Sequence, residues 1–211
     1  MISHLHDYSH IFRDAVTSFW QTRQAQGEKG VPDQGNRSQA TGGRQMDRFA
    51  GTIADLLVNA GLSRSCIHHA RQIVETPGEQ TGVELPGFYR ATKKWDIVIV
   101  TDGNLQAAIE LKSLIGPSFG NNFNNRVEEA VGSAADIWRA YREGVFSPSP
   151  QPWLGYLFLM EDSIASRRSV RIAEPYFPVL GEFQSTSYAS RAELLCLKLL
   201  RERQYNAVCF L

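Results

Sequence analysis

Apolar residues recur at helical spacing over Tyr8, Ile11, Phe12, Ala15, Val16, Phe19 and Trp20, which predicts an amphipathic first helix. Residues 21–45 then offer almost nothing to bury. Gln, Gly, Arg, Asn, Ser and Thr dominate there, and the segment reads as a loop. Long loops inside compact domains are often functional, so ordering on a polyanion through Arg37 and Arg44 is the sharper reading of it. Helical spacing returns with Phe49, Ile53, Leu56 and Leu57, and Gly61 is placed to stop that helix. A third helix is expected from an N-cap at Ser63, carrying Ile67, Ala70, Ile73 and Val74. The period then changes. Residues 95–101 (WDIVIVT) and 105–113 (LQAAIELKS) read as strands joined by a turn at Asp102-Gly103-Asn104. A long helix is expected over about residues 124–143, with Val127, Val131, Ala134, Ile137, Trp138 and Tyr141 inward. The apolar run WLGYLFLM at Trp153–Met160 predicts a fully buried strand. Ser190-Arg191-Ala192-Glu193 has the form of a capping box opening a last helix to about Gln204. Helices, a hairpin, then helix, strand and helix make a mixed α/β sandwich.

Composition narrows what such a sandwich can be. The 211 residues, 43% of them hydrophobic, suffice for one core, and a single domain is expected. The 22 basic and 22 acidic residues cancel. That argues against a polybasic coat protein, an acidic disordered chain and a charge-steered membrane peptide. It leaves room for a local basic face, and seventeen of the basic residues are Arg, the side chain suited to bidentate phosphate and guanine contacts. Cys66, Cys196 and Cys209 form no CxxC pair, which disfavours a disulfide framework or zinc ribbon and fits a reducing compartment. The N-terminus lacks a secretory pattern, and the longest apolar run is too short to span a bilayer. The expectation is a cytoplasmic protein without a membrane partner.

The chemistry sits on the hairpin. In Glu110-Leu111-Lys112 the strand period puts Glu110 and Lys112 on one face and Leu111 on the other. With a three-residue turn, Thr101 opposes Leu105, and counting back sets Asp96 opposite Glu110, about 5 Å away at Cβ. Two such carboxylates, with the Leu111 carbonyl and waters, suit a hard divalent ion such as Mg²⁺. Lys112 can orient or deprotonate a water and offset charge on phosphorus. The competing reading is an exposed strand face with a Glu–Lys pair and an unrelated Asp. Five residues where the hairpin hands over to the long helix, Asn121, Asn122, Asn124, Asn125 and Arg126, can read adenine and guanine edges. They can equally serve as an N-cap and polar loop. Arg44 and Gln45 are a second candidate DNA-contact set.

Asp96, thirteen residues, then Glu110-Leu111-Lys112 resembles the Asp…Glu-x-Lys core of restriction-endonuclease-like nucleases. More narrowly, the chain is similar to the XhoI family of type II restriction endonucleases. The similar stretches include residues 41–47 (TGGRQMD), 85–90 (LPGFYR), 94–96 (KWD) and 116–126 (GPSFGNNFNNR). The similarity continues through Glu128-Glu129-Ala130, residues 141–144 (YREG), residues 152–155 (PWLG) and Glu161-Asp162. It implies a central mixed β-sheet flanked by α-helices and a homodimer that cuts a palindromic site in double-stranded DNA with Mg²⁺. The implied site is CTCGAG or a close relative, and a cognate DNA methyltransferase is the implied functional partner. By place in the motif, Asp96 and Glu110 carry over as metal ligands and Lys112 as the catalytic lysine. Family members run longer than this chain, and its apolar end at residues 208–211 is compatible with truncation. A repair or junction-resolving nuclease of the same fold, and an inactive sequence-specific DNA-binding module, are the rival functions.

Overall fold

The computed structural model describes residues 9–28, 39–69, 83–174 and 176–211, with side chains at 25–28 and 39–45 outside the description. Two N-terminal helices, α1 (Ser9–Glu28) and α2 (Gln39–Asn59), pack on each other. Among the described residues seven strands follow: β1 (Ile67–His69), β2 (Glu84–Pro86), β3 (Thr92–Lys94), β4 (Ile97–Thr101), β5 (Asn104–Leu114), β6 (Trp153–Met160) and β7 (Ala207–Phe210). Helix α3 (Phe119–Arg142) is the crossover between β5 and β6. A short helix α4 (Ile164–Arg167) and helix α5 (Tyr188–Arg201) lie between β6 and β7.

The main sheet has the order β1-β4-β5-β6-β7, and β2 with β3 forms a separate hairpin. β1, β4 and β5 pair antiparallel, whereas β5, β6 and β7 pair parallel. Both faces are covered, which explains why β6 reads as one continuous apolar run. On one face Phe19, Phe49 and Ala54 of α1 and α2 pack on Ile97, Ile99, Ile109, Leu111, Leu157 and Leu159. On the other, Phe119, Phe123, Ile137, Leu195 and Leu199 of α3 and α5 pack on Val98, Ala108, Leu114, Tyr156 and Phe158. This mixed sheet between helical layers is the α/β architecture expected of a restriction-endonuclease-like fold.

Four local expectations need correction. The segment expected as a loop at residues 21–45 is helical at both ends, with α1 continuing to Glu28 and α2 already beginning at Gln39, and residues 29–38 lie outside the described residues. The third helix is absent from the described part of its range: Arg64–Cys66 form one 3-10 turn and β1 follows. There Ile67 pairs with Ile99 and is fully buried, so sheet pairing overrides the helical spacing; residues 70–74 lie outside the described residues. α3 starts about a turn early, because Phe119 and Phe123 anchor its first turns in the core. Val131 consequently points outward, and the inner stripe runs through Ala130, Ala134, Ile137 and Ala140. The cap of α5 is Ser187, whose hydroxyl accepts the Ser190 N–H, rather than Ser190 itself.

The hairpin reaches the expected register by another route. Its turn has two residues, Asp102 and Gly103, both at positive φ (51° and 74°), as a primed turn requires. Thr101 therefore faces Asn104, and Val100 faces Leu105. Next, Ile99 pairs with Ala107, so Gln106 is an extra, unpaired residue. That bulge restores the pairing of Ile97 with Ile109, the last pair of the ladder, and Asp96 follows one step beyond it in the bend before β4.

Candidate active site

β5 is the axis of the site. Beyond the bulge its odd residues (Ala107, Ile109, Leu111) enter the core under α1 and α2, and its even residues face α3. Glu110 and Lys112 thus share the α3 face, as the triplet predicts. Asp96 arrives from the bend before β4, where buried Trp95 fixes the backbone. Its Oδ2 accepts the Leu111 N–H at 2.7 Å and lies 4.0 Å from Lys112 Nζ. Lys112 Nζ also pairs with Glu110 Oε1. Asp96, Glu110, Lys112 and the Leu111 backbone therefore form one cluster.

Sequence reasoning missed a fourth side chain of the cluster, Lys93 on β3. Its Nζ donates to Glu110 Oε2 at 2.5 Å, sits 4.3 Å from the centre of the Trp95 ring, and is only 11% exposed. The signal was present in Lys93-Lys94-Trp95-Asp96, but only the β2–β3 pairing folds Lys93 back over Glu110. Tyr156, the register partner of Glu110 on β6, brings a buried hydroxyl with no hydrogen-bond partner among the described residues.

The two carboxylates titrate in opposite directions. Burial, then the charge of Glu110, pushes Asp96 up to about 6. Burial is also the largest influence on Glu110, but Lys112 and Lys93 together outweigh it and hold the group below its ordinary value. Lys112 is raised despite its burial, because Glu110 and Asp96 favour the ammonium, with a smaller contribution from Glu129.

The donors fit a hard divalent cation. They are oxygen only, and Asp96 retains proton affinity that a cation would replace. Among the described residues no third His, Cys, Asp or Glu completes a protein cage. That suits an ion that keeps several waters.

The predicted DNA-reading residues lie on the first turns of α3 rather than in a loop before it. Asn121, Asn124 and Asn125 are exposed, and Asn122 and Arg126 are half-buried. Arg126 Nε donates to the Ser113 carbonyl at 3.1 Å, one residue past Lys112, and its guanidinium pairs with Glu129. Arg126 is thereby tied to the edge of the cluster, and none of the asparagines bonds to Asp96, Glu110 or Lys112. Arg44 and Gln45 fall on α2, and their side chains lie outside the described residues.

Known proteins give this geometry its context. A family model described as restriction endonuclease XhoI matches residues 25–211. The type II restriction enzyme BstVI of Geobacillus stearothermophilus is 50% identical over 184 residues, covering 85% of this chain and 78% of the relative. AbrI of Azospirillum brasilense, also a type II restriction enzyme, is 43% identical over 84% of this chain and 77% of its own length. The type II restriction enzyme XhoI of Xanthomonas vasicola is 40% identical over 93% of this chain and 77% of its own length. No solved structure matches. With a family match across most of the chain and relatives at this identity, the protein belongs to the XhoI family of restriction endonucleases.

Proposed function

We propose that this restriction endonuclease cuts double-stranded DNA at a palindrome, CTCGAG or a close relative, with Mg²⁺ held by Asp96, Glu110 and the Leu111 carbonyl. It acts as a cytoplasmic homodimer beside a cognate methyltransferase. Among the described residues no helix is long and apolar enough to cross a membrane. The observation that carries the reading is the convergence of Asp96, Glu110 and Lys112 on the α3 face of the sheet. Arg126 at the edge of that cluster and the exposed asparagines of α3 support a DNA surface there.

When bound, the ion polarises a phosphoryl oxygen and lowers the pKa of a coordinated water. The chain supplies the remainder. The Leu111 N–H fixes one oxygen of Asp96, leaving the other to bind. Lys112, kept charged by its carboxylate neighbours, orients the attacking water and offsets negative charge growing on the phosphoryl oxygens. The water oxygen joins phosphorus as one P–O ester bond breaks, and the departing oxygen leaves with a proton.

A plasmid digest with Mg²⁺, followed by sequencing of the fragment ends, tests activity and site together. Discrete fragments with one end sequence are expected, and none in EDTA. Lys112→Ala should cut at least about 10²-fold more slowly while binding the same site in Ca²⁺. Fragments without a fixed end sequence would instead mark a shape-directed repair nuclease. A Lys112→Ala enzyme as fast as the parent would remove Lys112 from the mechanism.

A further inference from the structure

The β2–β3 hairpin ends in a turn whose construction the chemistry above does not use. Asp136, on the inner stripe of α3, is 2% exposed. A buried carboxylate is costly unless its oxygens are occupied, and here the turn occupies them. Oδ1 accepts the Phe88 and Tyr89 N–H groups at 2.7 and 2.8 Å, and Oδ2 lies 2.7 Å from Arg90 Nε. The approach is so close that a Cβ on Gly87 would lie 2.6 Å from Oδ2. What this clamp displays is not core. Tyr89 is 71% exposed and stands edge-on to Phe88, whose ring carries Arg139 at 4.9 Å, and the Arg90 head is half exposed. The same hairpin returns through Thr92 to Lys93 on Glu110, so the turn lies two or three strand residues, roughly 10 Å, from the acidic cluster.

We infer that the Gly87–Arg90 turn, clamped on Asp136, is a DNA-contact surface of this enzyme. Tyr89 packs against the nucleic acid and Arg90 pairs with a backbone phosphate beside the site of cutting. DNA is the occupant the observations favour because the aromatic pair is flanked by the guanidinium groups of Arg90 and Arg139, each held by one carboxylate (Asp136 and Glu143) with further N–H donors to offer, and is continuous, through Lys93, with the phosphodiester-cutting cluster. A rigid aromatic with a cation beside it suits bases and phosphates. A clamp built on a buried carboxylate prevents the turn from collapsing onto its own surface. The inference rests on the endonuclease reading and adds a substrate contact to it.

The test is binding in Ca²⁺ of a short labelled duplex centred on the parent's own sequenced cut site, with Tyr89→Ala, Tyr89→Phe and Arg90→Ala variants of the full chain. Tyr89→Ala should weaken binding about tenfold, and Tyr89→Phe should restore it. Arg90→Ala should lower the slope of log affinity against log salt by about one. Thermal melting should show the two Tyr89 variants as stable as the parent, since that side chain lies outside the core, and Arg90→Ala folded but melting lower, because Asp136 loses its guanidinium while keeping the Phe88 and Tyr89 N–H groups. A parent that cuts, with Tyr89→Ala and Arg90→Ala binding as the parent does, would overturn the surface while leaving the endonuclease standing. A parent that leaves plasmid uncut in Mg²⁺, and so supplies no cut site for the duplex, would remove the endonuclease reading and the surface with it.

Discussion

Asp96 and Glu110 show how neighbours decide the fate of a buried acid. Both are desolvated, yet Glu110 has an ammonium on each oxygen, whereas Asp96 has a backbone N–H and a more distant Lys112. Asp96 therefore holds its proton to about pH 6 instead of 3.8. Between those values the folded state binds more protons than the unfolded state, so stability falls as pH rises through the window. The penalty is complete above about pH 6 and absent below about pH 4. Asp96→Asn should then stabilise the metal-free enzyme at neutral pH by about 1–2 kcal/mol, a figure discounted because the side chain is 33% exposed. At acid pH it should do nothing. Urea denaturation in EDTA at both pH values reads the difference, and a variant less stable than the parent at neutral pH contradicts the assignment. Replacing Glu110 by Gln should destabilise instead, because two buried ammonium groups lose their counter-charge.

Among the elements, the β4–β5 hairpin and the β2–β3 turn set the site. Gln106 is the one residue of β5 that can be removed without changing which pairs face each other on either side of it. Deleting Gln106 should leave Leu105 under α3, Ala107 under α2 and Glu110 beside Asp96, with thermal stability near the parent's and cutting retained. Deleting Ala108 shifts the parity of everything after it relative to β4, sending either the core residues or Glu110 and Lys112 to the wrong face. That variant should not fold. A comparison of soluble yield, melting and plasmid cleavage separates the two, and loss of fold on deleting Gln106 would assign the bulge a structural role. The turn depends on Asp136 in the same way. Asp136→Ala strands two backbone N–H groups and a guanidinium, and a loss of about 2–4 kcal/mol is expected in urea denaturation.

For the molecule as a whole, the cancelling charges become informative. Non-specific DNA affinity comes from phosphate neutralisation, and a chain with 22 basic and 22 acidic residues has little to spare for it. Binding to a random duplex should accordingly be weak and vanish at moderate salt, whereas the cut-site duplex in Ca²⁺ should persist. Fluorescence anisotropy over a salt series measures both, and equal affinity for the two duplexes would refute the expectation. The neutrality is also local: Arg90, Arg126 and Arg139 are each paired with one carboxylate, Asp136, Glu129 and Glu143.

Local rules were sufficient for much of this. Strand period placed Glu110 and Lys112 together, the Asp-Gly turn marked the hairpin, and the apolar run of β6 announced a strand covered on both faces. These features depend on neighbours within a few residues, where backbone geometry dominates. Other features depend on partners far along the chain. Ile67 is a strand because Ile99 offers it a ladder, Lys93 reaches Glu110 because β2 turns β3 back, and Asp136 is buried because the Gly87 turn occupies its oxygens. Even the register of Ile97 with Ile109, next to which Asp96 meets the Leu111 N–H, came from a shorter turn plus a bulge. The sequence by itself determined the chemical identity of the acid pair and its lysine, since side-chain alternation is a property of any strand. Only the tertiary structure decided what surrounds them, because burial and hydrogen-bond satisfaction are settled between segments and not within one.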